Sequence, residues 1–192
     1  MKNLYTIGVV GLGYVGLPLA SELANYFKVY GYDTSKSRVK ELRNFFDRYK
    51  LVSKKDLKKK NEIKFTNDSS QLKNCNFFIV TVPTPVKKNN TPDMSYLIKA
   101  CTEIAFNLIK GSFVVFESTV YPGATRDVCI PILEKFSGLK FKKDFFIGYS
   151  PERISVGDKN KNLKNITKII SSEPKNKISH LKNVYSKILK NK

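Results

Sequence analysis

Apolar residues along this chain follow two alternating rhythms. Tyr5 to Val10 is a short β-branched run, and from Val15 to Tyr26 the apolar positions recur at helical spacing. Lys28 to Asp33 reads as a second strand, and Ser35 to Phe46 as a helix with Val39, Leu42 and Phe46 on one face. Asp47 to Asn61 is polar, and Ser53 with Asp56 three residues on can cap a short helix there. Phe77 to Val82 is apolar without alternation, the pattern of a strand covered on both faces. Pro92-Asp93 opens a helix reaching about Ile109, and Gly111 ends it ahead of a second buried strand, Phe113 to Glu117. Thr125 to Lys135 has helical spacing, which Pro131 should disturb. Phe145 to Tyr149 is the last clear strand of the core, and Ile166 to Ile170 reads as a short further one. Ile178, Leu181, Tyr185 and Ile188 then share one helical face that needs a surface to bury it.

Strands that alternate regularly with helices pair in parallel through right-handed crossovers. The fold class expected is therefore α/β, a Rossmann-type doubly wound, mostly parallel sheet. After Asp158 the composition turns to Lys and Asn. Residues 1–158 read as the main domain, and residues 159–192 as a terminal strand and helix packing on it. No run of 18 apolar residues occurs, so no membrane span is expected. The glycines at 8, 11, 13 and 16 interrupt the early apolar stretch and argue against a secretory leader.

Charge changes this picture less than its size suggests. The net charge is +19, but only five of the 35 basic residues are arginine. Nucleic-acid readers place arginine forks at defined positions on an element. Here lysines are scattered among asparagines, as in Lys87-Lys88-Asn89-Asn90, which reads as solvated surface rather than a nucleic-acid interface. Cys75, Cys101 and Cys129 are isolated and lack metal-ligand spacing, which fits a reducing cytoplasm.

The chemistry begins at Gly11-Leu12-Gly13-Tyr14-Val15-Gly16, set between a predicted strand and a predicted helix. In that setting Gly11 permits the tight turn, Gly13 lets a pyrophosphate approach the backbone, and Gly16 lets helix and strand pack closely. Tyr14 and Val15 lie at the helix N-terminus, where unpaired amides face phosphates. Asp33 ends the second strand about 20 residues on, where a carboxylate accepts the adenine ribose hydroxyls and repels a 2′-phosphate. That favours NAD over NADP, although Arg38 on the following helix could hold such a phosphate. Three proline-stiffened loops follow strand ends: Val82-Pro83-Thr84-Pro85, Glu117-Ser118-Thr119-Val120-Tyr121-Pro122-Gly123 and Ser150-Pro151-Glu152-Arg153. Ligands of open α/β sheets bind at that edge. Glu152 is the carboxylate of the last loop and the natural acid/base candidate.

GLGYVGLPLA at 11–20, NFFIVTVPTPV at 76–86, ESTVYPGAT at 117–125, PILEKFSGLKF at 131–141 and GYSPERISVGD at 148–158 together resemble the UDP-glucose/GDP-mannose dehydrogenase family, in particular its UDP-N-acetylhexosamine branch. The resemblance implies oxidation of C6 of a nucleotide sugar to a carboxylate with two NAD⁺, through an aldehyde and an enzyme thioester, for surface polysaccharides. It implies that Gly11, Gly13 and Gly16 hold the pyrophosphate while Asp33 and Arg38 bind the adenosine side. It places Pro83, Thr84, Ser118 and Thr119 against the cofactor and reaction centre, with Glu152 as acid/base and Thr119 assisting.

The family's nucleophilic cysteine, in a GxGGxCxPKD-like motif, and its catalytic lysine and asparagine belong to segments that this sequence does not contain. Phe45-Phe46 stands where relatives tend to place a glycine, and Ser171-Ser172 where they have a glycine-containing turn. The chain is thus expected to be incomplete for catalysis alone, and its expected partners are a separate C-terminal half or a homo-oligomer. The rival reading is a non-catalytic NAD or UDP-sugar binding module.

Overall fold

The computed structural model describes residues 4–59, 63–152 and 167–189. Its strands are β1 (Thr6–Val10), β2 (Lys28–Tyr32), β3 (Ile63–Thr66), β4 (Phe77–Val80), β5 (Ser112–Phe116), β6 (Phe145–Tyr149) and β7 (Ser171–Glu173). They form one sheet in the order β3-β2-β1-β4-β5-β6-β7. Every pairing is parallel except β6 with β7. The first six strands have the 3-2-1-4-5-6 order of the dinucleotide fold, with its switch point between β1 and β4.

The continuous apolar strands are explained by helices on both faces. Phe77, Ile79, Phe113 and Val115 point into one core with α1 (Gly16–Leu23) and α6 (Ile178–Ile188). Phe78, Val80, Val114 and Phe116 point into the other with α4 (Ser95–Ala105) and α5 (Ile130–Ser137). Of the terminal helical face, Leu181, Tyr185 and Ile188 are buried, and Val184, outside the expected set, is buried with them. Each such burial is worth on the order of 1.5–3 kcal/mol, so α6 is part of the core rather than an appendage.

Several expectations are corrected. The second helix, α2, is Lys36–Arg43, and Phe46 is 57% exposed rather than on its buried face. The cause is Phe45, which takes a left-handed backbone (φ 57°) just past the C-cap Asn44 and turns the chain out of the helix. The glycine missing from the sequence here would have suited that conformation. α3 (Lys54–Lys59) forms where Ser53 was expected to cap, with the Asp56 amide donating to Ser53 Oγ at 3.1 Å. β3 was not foreseen: its four residues alternate too briefly to register. α4 ends at Ala105, and Gly111 (φ 87°) serves the turn into β5 instead of closing the helix. Pro131 does disturb its helix, as a wide π-turn over Thr125–Cys129 immediately before α5.

The strand expected over 166–170 is found just beyond that stretch, at Ser171–Glu173. Residues 167–170 are irregular, and Ile169 is 55% exposed. Residue 166 and the domain division at 158/159 lie outside the described residues. β7 is a short polar edge, a type of strand that discourages further pairing and carries no hydrophobic signature.

Candidate active site

The carboxyl edge of the sheet collects every loop singled out from the sequence. At the switch point Gly11 adopts φ 97°, and its amide donates to the Tyr32 carbonyl at 2.8 Å. A Cβ built on Gly13 would meet no atom within 4 Å, whereas one on Gly16 would lie 1.8 Å from the Gly11 carbonyl oxygen. Gly13 therefore borders open space, and Gly16 marks the close approach of helix and loop. Thr81, just past β4, fastens this loop by donating to the Gly11 carbonyl at 2.8 Å. A groove of about 240 Å³ opens beside it, lined by Gly11, Gly13, Asp33 and Pro83, with Tyr96 and Lys99 of α4 on its far wall. That open cradle at a helix N-terminus fits a dinucleotide pyrophosphate.

Asp33 is turned toward the loop. Its Oδ2 accepts from the Leu12 amide and its Oδ1 from the Ser35 amide, each at 2.9 Å. A carboxylate has about four acceptor positions, so two remain for ribose hydroxyls. Arg38, placed by the resemblance on the adenosine side, is engaged within the protein. It is buried, its Nε donates to the Leu12 carbonyl at 2.9 Å, and its Nη1 lies 2.8 Å from Asp47 Oδ1. Tyr49 covers its guanidinium at 4.8 Å and stacks on Tyr14 at 4.5 Å between ring centroids. Arg38 is thus a strut behind the glycine loop. Its role follows from Asp47, a long-range partner that the polar stretch gave no reason to single out.

Burial pushes the Asp47 carboxyl up, but Arg38 and the amides of Val52, Leu51 and Tyr49 outweigh it and hold the group below its ordinary range. A carboxyl lowered in this way stabilises the fold above its unfolded pKa, about 3.9, and that contribution is lost as pH falls through the folded value. Asp47→Asn is therefore expected to cost about 2 kcal/mol or more at pH 7, with the deficit shrinking at pH 3. Urea unfolding at both pH values measures it, and an equal deficit at the two would refute the assignment.

The middle loops are stitched together. Ser118 is buried, and its hydroxyl donates to the Val82 carbonyl at 2.6 Å, while Thr84 donates to the Thr119 carbonyl. Ser118 thus serves the loop's shape, and Thr119 is the exposed hydroxyl beside it. In the last loop the side chain of the acid/base candidate Glu152 is only 8% exposed, and Lys168 Nζ lies 3.0 Å from its Oε2. The same ammonium lies 2.8 Å from Glu117 Oε2, and Tyr185 of α6 donates to Glu117 Oε1. Glu117 had been read only as the first letter of its motif, and Lys168 had no local signal at all.

The thiols are poor nucleophiles. All three are free and buried. Burial pushes Cys75 up to about 12, and its hydrogen-bonded neighbour Cys129, with burial, pushes Cys101 well above the ordinary range. Among the described residues no helix is long and apolar enough to cross a membrane.

Residues 5–189 match the UDP-glucose/GDP-mannose dehydrogenase family, NAD binding domain. A UDP-N-acetyl-D-glucosamine 6-dehydrogenase of Pseudomonas aeruginosa is 50% identical over 89% of this chain and 40% of its own. Protein CapL of Staphylococcus aureus is 47% identical over 95% of this chain and 43% of its own. The structure of a UDP-D-ManNAc dehydrogenase from Pyrococcus horikoshii superposes with a TM-score of 0.86 at 31% identity, over 96% of this chain and 45% of that one. The chain spans less than half the length of each of these relatives.

Proposed function

Because the chain belongs to the UDP-glucose/GDP-mannose dehydrogenase family and is its NAD binding domain, we propose that it forms the cofactor half of an enzyme oxidising C6 of a UDP-N-acetylhexosamine to the uronic acid. The observation that carries this is the pairing of an open Gly13 cradle with the Asp33 carboxylate at the switch point of the sheet. NAD⁺, when bound, supplies the hydride acceptor. Gly11, Gly13 and Gly16 shape the loop under the pyrophosphate, with the helix N-terminus at Tyr14 and Val15 facing its charge. Asp33 orients the adenine ribose, and Arg38 supports the wall behind it. Pro83, Thr84, Ser118 and Thr119 build the floor between cofactor and sugar. Glu152 exchanges the proton of the reacting group, assisted by the Thr119 hydroxyl.

The domain division at residue 158, and completion by a separate C-terminal half, belong to the same reading. The buried thiols support it, since a thioester step needs an accessible thiolate. Arg38, the arginine that could have held a 2′-phosphate, is instead buried against Asp47 and Leu12, and Asp33 repels such a group. Calorimetric titration is therefore expected to show NAD⁺ binding at least about tenfold tighter than NADP⁺, a difference of ~1.4 kcal/mol. Equal or tighter NADP⁺ binding would overturn the cofactor assignment. Turnover of UDP-N-acetylglucosamine with NAD⁺, assayed with and without a supplied C-terminal domain, tests the enzyme assignment. NADH should form only when that domain is present.

A further inference from the structure

Among the described residues, Glu152 belongs to a buried cluster of charged and hydrogen-bonding side chains. Four elements contribute: Glu117 from the end of β5, Glu152 from the loop after β6, Lys168 from the approach to β7, and Tyr185 from α6. Lys168 has a side-chain exposure of 1% and lies over the Tyr185 ring at 5.7 Å. Both Glu117 oxygens are engaged, Oε1 by the Tyr185 hydroxyl and Oε2 by the Lys168 ammonium. Burial raises the Glu117 carboxyl, while Lys168 and Tyr185 pull it back toward the charged form. Burial, then the Glu117 charge, raises the Tyr185 phenol well above its ordinary range, so it remains a donor.

One ammonium faces two carboxylates here. With two acids on one ammonium, each loses part of the cation's hold to the other. Glu117 is fully enclosed and both its oxygens are engaged, whereas Glu152 is the less buried of the two. We propose that Lys168 is the positioning residue of the site: anchored on Glu117, it fixes the Glu152 carboxylate and sets the pH at which Glu152 exchanges its proton. This rests on the reading of Glu152 as the acid/base of the reaction. A lysine held by a second buried acid cannot swing away with its partner, so the geometry survives each protonation cycle.

The test is a carboxyl ¹³C NMR titration of the full chain labelled at glutamate, with the Glu152 resonance assigned by its disappearance in Glu152→Gln. Removing the cation in Lys168→Met is expected to move the Glu152 midpoint up by about one pH unit or more. Neutralising the competing acid in Glu117→Gln leaves the ammonium to Glu152 alone, so its midpoint should fall by a similar amount. Lys168→Arg should return it toward the parent. A residue that merely supports the fold would lower the unfolding temperature in these variants and leave the midpoint where it was. Should Lys168→Met fail to fold, Glu117→Gln decides by the sign of its shift. An unmoved midpoint in Glu117→Gln, or in any folded Lys168 variant other than arginine, overturns the proposal. Cofactor titration of the parent chain is read separately: a chain that fails to bind NAD⁺ yet shows these shifts would defeat the proposed function and leave the positioning role intact.

Discussion

Gly16→Ala is expected to cost about 3 kcal/mol or more in unfolding free energy, the upper range for overpacking a tight site. The added methyl would stand 1.8 Å from the Gly11 carbonyl oxygen and 2.5 Å from Thr81 Oγ1. The first of these is backbone and cannot rotate aside. The second is a hydroxyl already bonded to the Val10 and Gly11 carbonyls, so moving it loosens the junction of β1 and β4. A domain of this kind holds about 5–15 kcal/mol in total, so the loss is a large fraction. Chemical denaturation monitored by circular dichroism measures it, and a cost under about 1 kcal/mol would show that the glycine loop and α1 separate easily.

Three residues earlier the same motif should respond in the opposite way. Gly13→Val adds atoms to a position with no neighbour within 4 Å, so stability should stay within about 0.5 kcal/mol of the parent. NAD⁺ affinity should fall at least about 100-fold, equivalent to ~2.7 kcal/mol, because the side chain occupies the space assigned to the pyrophosphate. Paired calorimetry and thermal unfolding separate the two effects. Unimpaired binding by Gly13→Val would place the pyrophosphate elsewhere, and a collapse in stability would mean that the position is packed after all.

The contrast shows which features were legible in the sequence. The glycine spacing, Asp33 and the strand–helix alternation are local, and each requires only a window of residues with its own physical meaning. The buried strands Phe77–Val80 and Ser112–Phe116 were legible because both faces are covered and every position but Ser112 is apolar. β3 and β7 escaped because their stability comes from the neighbouring strand rather than from a pattern of their own. At the site, the Arg38–Asp47 pair was not legible, because Asp47 acts across a loop with no periodic signal. The Lys168 pairs span 51 and 16 residues, so no local window contains the three charges together. Sequence could rank Glu152 as an acid, but not reveal that it shares its counterion.

Arg38 has a consequence for kinetics. One guanidinium gathers the Leu12 carbonyl, Glu41 and Asp47, while Asp47 in turn collects three amides of the turn that follows it. The Leu12 side of the glycine loop is thereby held before any nucleotide arrives, and the entropy of fixing it is surrendered during folding rather than binding. A ligand meeting a loop already set has little to rearrange there, so nucleotides that compete for the groove should differ less in how often they are captured than in how long they stay.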